Sequence, residues 1–178
     1  MATYKLDSLE ALGPALAEYL ERAVATLYIS LREVVAENAM VKLVDFSPVG
    51  NAAVDPHPGK YRASHVPNAG EILTRVLPNM PAYPIPGIPE VEAALRGAAP
   101  GVSVFIANAA ADDKRPNQSY AALLEGGRRQ YSRVGSRTTL WIGSEQAPDG
   151  IYGPAVRALL GMRATIEASA IKRAQGRL

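Results

Sequence analysis

The chain contains no cysteine among its 178 residues, which excludes disulfide frameworks, cysteine zinc sites and thiol catalysis. That absence fits a reducing compartment but does not establish one. The net charge is only +2, which argues against a strongly basic nucleic-acid-binding domain. No apolar run reaches the length of a membrane span, so we expect no membrane contact. The first seven residues lack the basic and apolar regions of a signal peptide.

Aromatic residues are also few, with two phenylalanines and one tryptophan, so most of the apolar content is alanine, leucine and valine. Apolar residues make up 48% of the chain and charged residues 20%, a balance typical of a folded domain and not of a disordered chain. The length predicts one soluble domain over residues 1–178. Fifteen glycines and fourteen prolines predict that much of this domain is loop.

The strongest local pattern predicts a long amphipathic helix over residues 14–38. Pro14 suits the first turn, where its missing N–H costs nothing. Two interpretations of the apolar stripe remain open: it packs on the protein's own core, or part of it meets a neighbouring subunit. The stripe consists of Leu12, Leu16, Tyr19, Leu20, Ala23, Val24, Leu27, Leu31, Val34 and Val35.

Short strands and turns are predicted for the middle of the chain. We expect strands over 41–46 and 72–77, and over 60–66 either a strand or a helical turn leading into one. Five prolines between Pro78 and Pro89 exclude a helix or central strand there. That segment is predicted to be an extended connector, with a proline-rich groove ligand as the alternative.

The second half continues the mixed pattern. A short helix is predicted over 89–97, followed by a strand over 102–108 and a polar loop over 109–119. A helical turn is predicted over 120–125 and a hairpin arm over 128–142. Pro154 is predicted to begin a second long helix, and residues 172–178 to form a flexible basic tail. Strands without regular helical crossovers indicate an α+β fold. Its small antiparallel or mixed sheet would pack against the long N-terminal helix and the C-terminal helix.

Signals for catalysis are poor. The sequence contains no nucleophile elbow, no phosphate-binding loop and no zinc-protease motif. His57 and His65 are separated by irregular chain with no acidic cluster nearby, which argues against a metal site. We therefore expect a protein that is not an enzyme and takes no cofactor. For Glu125, a structural hydrogen bond or interface ion pair is favoured over general-base work.

The predicted arm carries a basic stretch formed by Arg128, Arg129, Arg133 and Arg137. Arginine binds phosphate backbones, but it also pairs with carboxylates at subunit interfaces. Contact with DNA passing through a channel needs no base recognition, so the lack of a nucleic-acid motif leaves that role open.

Three segments, taken together and in order, resemble the head–tail joining or tail-completion proteins of long-tailed bacteriophages (the minor tail protein Z and HK97-type neck group). Residues 57–64 (HPGKYRAS) resemble the family's D-T-G-R-L-R-A-S element, although His57 and Pro58 replace the usual Asp-Thr. Residues 103–108 (SVFIAN) with 120–127 (YAALLEGG) resemble I-x-N…Y-A-x-x-L-E-x-G. Residues 144–152 (SEQAPDGIY) resemble S-x-Q-A-P-x-G-M-V, which leads into the last helix. The resemblance covers roughly residues 10–172, with 128–142 as an insertion.

The resemblance implies a structural virion protein that is assembled in the host cytoplasm and located at the neck between head and tail. Its expected partners are further copies of itself in a ring, which the resemblance implies is hexameric, together with the stopper or adaptor, the tail terminator and the tail tube. Non-specific contact with channel DNA is a further expectation. The alternatives are a tail terminator or stopper of the same neck, or, in another class, a small nucleic-acid-binding protein or enzyme of phage origin.

The motifs and the arm together supply the candidate residues. Turns that set the chain direction are predicted at Gly59, Gly127, Pro148 and Gly150. The candidate interface residues are Arg62, Glu125, Arg128, Arg129, Arg133 and Arg137.

Overall fold

The computed structural model shows an α+β protein in which a long N-terminal helix and C-terminal helices accompany a small two-stranded antiparallel sheet. Side chains are not described within 111–146. The structure describes residues 11–50, 52–53, 57–73, 77–108, 110–112, 115–119, 129–131, 140–142 and 147–178.

Helix α1 spans Leu12–Phe46, which at 1.5 Å per residue is about 52 Å. The prediction of a strand over 41–46 was therefore wrong. Met40 and Val44 continue the four-residue spacing of Ala36, and all three pack against Val91 and Leu95. This tertiary packing outweighs the β propensity of the short apolar run.

Helix α1 ends at a capped turn. Ser47 donates two hydrogen bonds to the last turn of the helix: its backbone N–H to the Val44 carbonyl (3.2 Å) and its hydroxyl to the Leu43 carbonyl (2.6 Å). Pro48 follows, and the residue before a proline is disfavoured in helical conformation.

Helix α2 (Lys60–Ala63) is one turn that leads directly into strand β1 (His65–Ala69). This matches the second alternative for residues 60–66. Strand β1 pairs antiparallel with β2 (Val104–Asn108), from His65 opposite Asn108 to Ala69 opposite Val104.

No strand forms at Ile72, Leu73 or Leu77, contrary to the prediction for 72–77, of which residues 74–76 lie outside the described part. The chain turns at Gly70, whose φ is +95°, and the Gly70 N–H donates to the Ser103 carbonyl (2.9 Å). Ile72 and Leu73 thus leave the pairing with β2 and meet no other described strand.

The proline-rich segment contains no helix or strand from Leu77 to Gly87, as predicted. Helix α3 (Ile88–Leu95) then begins with Pro89 in its first turn. The Glu90 side chain accepts a hydrogen bond from the Gly87 N–H (2.7 Å), which satisfies a donor at the helix start.

Two further hairpins lie in the second half. Strands β3 (Ala111–Asp112) and β4 (Arg115–Ser119) pair antiparallel where a polar loop was predicted over 109–119. Backbone pairing between β3 and β4 supplies hydrogen bonds that these residues would otherwise take from water. The helical turn predicted over 120–125 lies outside the described residues.

The C-terminal helix is divided into α4 (Tyr152–Gly161) and α5 (Arg163–Gln175), with Met162 between them at φ −95° and ψ 5°. Pro154 lies in the first turn of α4, as expected. Helix α5 extends into the segment predicted to be a flexible tail, because Arg173 and Arg177 there form ion pairs with acids of α1.

Three small clusters form the core. The first joins α1 to α3, as described above, and the second joins α1 to α5 through Val34, Ile166 and Ala170. The third surrounds the junction of α2, β2 and α4 and contains Leu43, Tyr61, Ala110, Ala147, Ile151 and Ala155.

Candidate assembly interface

Described parts of the three segments that carry the family resemblance meet in the third core cluster, whereas residues 120–127 of the second segment lie outside the described part of the chain. Tyr61 comes from residues 57–64 and Ile151 from residues 144–152, and partly buried Ile106 from residues 103–108 packs against them. The Asn108 side-chain amide also donates to the Tyr61 carbonyl (2.8 Å). Residues that are distant in sequence thus form one packed unit.

Gly59 directs the chain into this unit. Its φ of +85° lies in the left-handed region that favours glycine, and its N–H donates to the Val49 carbonyl. Arg62 follows on α2 and is half-buried, and its Nε has no hydrogen-bond partner among the described residues. The interface role predicted for Arg62 stays a prediction.

His65 lies at the centre of the same unit and is 2% exposed. Its Nε2 is 2.7 Å from the Ser47 hydroxyl, which already donates to the Leu43 carbonyl. Nε2 is therefore assigned as the donor of this hydrogen bond. Burial lowers the pKa of His65 to about 4, which keeps it neutral at physiological pH.

The aromatic surroundings of His65 hold its ring in place. The rings of Tyr61 and Tyr152 meet it edge-on, with centroids at 5.7 Å and 6.3 Å. Ser47 and His65 lie as close together as a nucleophile and its general base. They do not have that arrangement, because the Ser47 hydroxyl donates to a backbone carbonyl and both side chains are buried. Sequence reasoning considered His65 only as a metal ligand and missed this structural role.

The turn before α4 contains two other candidate residues. Gly150 has a φ of +77° and donates its N–H to the Ala147 carbonyl (3.2 Å), while Pro148 is exposed between them. Ala147 and Ile151 on either side are buried in the third core cluster. The turn therefore anchors the start of α4.

The predicted arm contains paired strands. Strand β5 (Arg129–Tyr131) runs antiparallel to β6 (Leu140–Ile142), with Arg129 opposite Ile142. This strand pair lies within the segment for which the sequence predicts a hairpin arm, and the arm itself stays a prediction. Five candidate residues in and next to the arm lie outside the described residues: Glu125, Gly127, Arg128, Arg133 and Arg137.

A ridge of apolar side chains extends along the first half of α1. We define the ridge as Leu16, Leu20, Val24 and Leu27, which lie three or four residues apart and are between 42% and 68% exposed. The part of α1 that carries the ridge consists of the sixteen residues before Tyr28 and is about 24 Å long. The first interpretation of the stripe is confirmed for Val34, which is buried in the core, whereas the ridge is exposed and its contact with a neighbouring subunit stays a prediction.

A groove begins where the ridge ends. It has a volume of about 440 Å³ and lies between α1, β2 and α4. Its walls are largely apolar and include Tyr28, Leu31, Val35, Val104, Val156 and Leu159. Val156 and the neighbouring Leu160 are 52% and 68% exposed, so α4 also presents apolar surface to solvent.

A second, polar depression of about 490 Å³ lies between α1, α3 and α5. Arg173 contacts Glu33 and Glu37 there, and Arg177 contacts Glu33 (2.7 Å). Hydrogen bonding to Glu37 is the main reason that the pKa of Arg173 is raised above its usual value. Because the charges neutralise one another, this depression offers no strong site for a charged ligand.

Arg32 serves a structural role at the edge of both depressions. Its guanidinium donates to the carbonyls of Ala98 (3.2 Å), Ala99 (2.6 Å) and Val102 (3.3 Å). These bonds hold the turn between α3 and β2 against α1.

Within the described ranges, no group of three or more histidine, aspartate or glutamate side chains is placed to hold a metal ion. No helix in the same part of the chain is long and apolar enough to cross a membrane.

Comparison of the chain with known protein families, curated proteins and solved structures finds no match.

Proposed function

We propose that this chain is a structural protein of the virion of a long-tailed bacteriophage, located at the head–tail junction, where it completes the tail end and joins it to the head. The observation that carries the proposal is that Tyr61, Ile106 and Ile151, one residue from each of the three motif segments, pack in one core cluster. Each motif is a weak signal alone, and their order and spacing make the resemblance more specific. Their joint packing supports treating them as one structural signature.

The surfaces also suit a protein whose work is assembly. The ridge and the groove expose apolar side chains that a monomer has no reason to leave in water. Such surfaces mark contacts with other proteins. The arginine-rich arm adds groups that pair with carboxylates of a neighbouring subunit or with phosphates of channel DNA.

The proposed partners are further copies of the chain in a ring, and the stopper or adaptor, tail terminator and tail tube of the neck. A ring requires contacts between two different faces of each subunit that close upon themselves. The ridge and the groove are two such faces on one chain.

Deleting the gene from a phage that carries it tests the proposal. We expect filled heads and separate tails that fail to join, and restored particles when the chain is supplied from a plasmid. Mass spectrometry of purified virions should detect the protein, and a reconstruction of the neck should locate it. Localisation at the tail terminator or stopper position would favour that alternative. Normal particle yield from the deletion phage, with the protein absent from virions, would overturn the proposal.

A further inference from the structure

We propose that the free edge of strand β2 is a docking site for an extended peptide segment of another protein, which pairs with the β2 backbone in the groove between α1 and α4. The segment has alternating apolar and polar side chains, with the apolar ones directed toward α1. This assignment goes beyond the function proposed above, because it gives one surface an occupant and does not depend on a location in the virion.

The pairing between β1 and β2 determines which backbone groups face the free edge. The Gly70 N–H donates to the carbonyl of Ser103 (2.9 Å), which lies directly opposite it, one step beyond the last pair of the strands. Hydrogen-bonded and non-hydrogen-bonded pairs alternate along an antiparallel ladder. Pro67 and Ile106 are therefore a non-hydrogen-bonded pair, which agrees with the lack of an N–H on proline.

Val104 and Ile106 consequently direct their backbone N–H and C=O groups away from β1. Within the described part of the chain, neither residue has a further backbone partner. Val102 lies two residues earlier on the same edge, and its carbonyl accepts a hydrogen bond from Arg32 (3.3 Å). All four residues line the groove, so this edge of β2 faces it.

These backbone groups specify an extended chain as the occupant. An N–H or C=O group that is removed from water without a partner costs free energy. An apolar helix over the groove would bury the free edge in this way. An added strand instead presents its own C=O and N–H groups, whose partial charges complement those of the edge. Main-chain hydrogen bonds of this kind supply the affinity when a peptide is added to a sheet edge.

The opposite edge of the same sheet is closed to such pairing. By the same alternation, the Pro67 nitrogen on β1 points outward and has no hydrogen to donate. Proline on an edge strand prevents pairing with other chains. Strand β2 has the sequence VFIAN, without proline or charge, and is partly exposed along its whole length. Strand addition is therefore favoured at β2 alone.

The helices beside the edge restrict the occupant to a single strand. Helices α1 and α4 border the groove, whose volume of about 440 Å³ is typical of a ligand site. In a second copy β2 lies between the same two helices, so two such edges cannot approach closely enough to pair. A peptide segment carries no flanking helices and can enter the groove.

The groove also determines the side chains of the occupant. Val104 and Ile106 pack against the first core cluster, so their side chains point toward α1. Side chains of an added strand alternate between the same two faces. One set therefore meets Leu31 and Val35 of α1, which line the groove and favour apolar partners. The other set shares the face of Phe105, which is partly exposed, and is favoured to be polar.

Amide hydrogen exchange of the purified full chain, measured by NMR, tests whether the edge is free. The probe is a peptide of alternating valine and threonine with a lysine at each end. In the free protein, Val104 and Ile106 should exchange at least tenfold faster than Phe105 and Ala107, whose N–H groups face β1. The peptide should slow the first pair at least tenfold and leave the second pair unchanged. Equal protection of both pairs in the free protein, or no slowing at a saturating or millimolar concentration of peptide, would overturn the proposal.

Methylated peptides test whether backbone pairing is responsible for binding. In antiparallel pairing the valine N–H groups point to β2 and the threonine N–H groups point away, and in parallel pairing the reverse holds. N-methylation of the valines alone, or of an equal number of threonines, therefore blocks only one orientation each. By fluorescence anisotropy, one methylated peptide should bind at least tenfold more weakly than the unmodified peptide, and the other should bind normally. Equal affinity of all three peptides, or equal loss in both methylated ones, would overturn the proposal.

A charge in the wall of the groove tests where the peptide lies. Val156→Glu should weaken binding at least tenfold, because Val156 lines the groove from α4. Leu160→Glu is the matched control, since Leu160 is 68% exposed on the same helix and outside the described lining, and it should bind normally. Circular dichroism should show unchanged helix content in both variants. Equal affinity of the two variants would overturn the proposed site.

A helical peptide of leucine and lysine tests the other kind of occupant. It should bind at least tenfold more weakly than the valine and threonine peptide, and tighter binding would overturn the proposal. Peptide binding is measured on the isolated chain, whereas the proposed function is measured in particles. Binding with no protein in virions would overturn the proposed function and leave the docking site intact. Virion incorporation without peptide binding would do the reverse.

Discussion

Arg173 and Glu37 form an ion pair with two hydrogen bonds between α5 and α1, although the residues lie 136 positions apart. Nη1 donates to Oε1 at 2.6 Å and Nη2 to Oε2 at 2.8 Å. The Glu37 side chain is only 8% exposed, so its carboxylate depends on this partner for compensation. The pair therefore fixes the end of α5 against the middle of α1.

Arg173→Met should destabilise the fold by about 1–3 kcal/mol, because it leaves the buried Glu37 carboxylate without its bidentate partner. Urea unfolding monitored by circular dichroism measures the difference. The control is Arg163→Met, whose pair with Glu167 is exposed on the same helix and should contribute nothing measurable. Equal midpoints for the two variants would show that the Arg173 pair is not stabilising.

The contact between α1 and α5 shows which features of the fold can be predicted from the sequence and which cannot. Glu33 and Glu37 are four residues apart and lie on one face of α1, and Arg173 near the end of α5 is followed four residues later by Arg177, just beyond the helix. That spacing was available in the sequence, but it cannot show which faces meet. The α+β class and the helix after Pro89 followed from periodicity and turn residues, because those signals are local.

The errors in prediction arose where contacts between residues distant in sequence determine the local structure. The segment 41–46 has the composition of a strand, but packing of Val44 against Val91 and Leu95 favours the helix. The neutral state of His65 likewise depends on its burial among residues distant in sequence, such as Tyr152. The candidates within the arm could be chosen for charge, but nothing in the sequence locates their partners.

His65 predicts a specific pH dependence. In the unfolded chain histidine titrates near pH 6.5, whereas in the folded protein the pKa is about 4. The unfolded state therefore binds more protons between these values, so stability is full above pH 6.5 and falls as the pH decreases toward 4. The slope from this group is about 1.4 kcal/mol per pH unit in the middle of the window.

His65→Gln separates this contribution from that of the carboxylates. Gln keeps a donor for the Ser47 hydroxyl but cannot be protonated, so the variant should lose less stability than the natural sequence between pH 6.5 and 4.5. Urea unfolding at several pH values gives both curves. Parallel curves across this window would mean that His65 does not titrate between the two states as the burial predicts.

A side chain at Gly59 is predicted to lower the stability of the fold, because of the backbone conformation alone. An added Cβ would meet no atom within 4 Å, but the φ of +85° costs an alanine about 1–2 kcal/mol. Gly59→Ala should therefore lower the unfolding midpoint. Gly161→Ala is the matched control, because Gly161 ends α4, has equal space and needs no positive φ; it should be stabilising by about 0.5 kcal/mol. A Gly59→Ala variant as stable as the natural sequence would contradict this account.

The arm is predicted to act in assembly and not in folding. Replacing Arg128, Arg129 and Arg133 together with glutamate reverses the charge beside strand β5, where Arg129 pairs with Ile142 through the backbone. Because the hairpin's pairing uses main-chain groups, we expect the variant to fold with an unchanged unfolding midpoint. Particle yield in the deletion phage should fall at least tenfold, because the neighbouring carboxylates or phosphates would then meet like charge.

The control for the arm carries the same charge change elsewhere. Replacing Arg96, Arg163 and Lys172 with glutamate alters three exposed positions on and next to helices α3 and α5. This variant should support normal yield, measured as plaque titre and as the ratio of joined particles to free tails by electron microscopy. Normal yield from the arm variant would exclude the arm as a necessary interface. Equal loss in both variants would trace the effect to net charge, since the two triple replacements change it by the same amount.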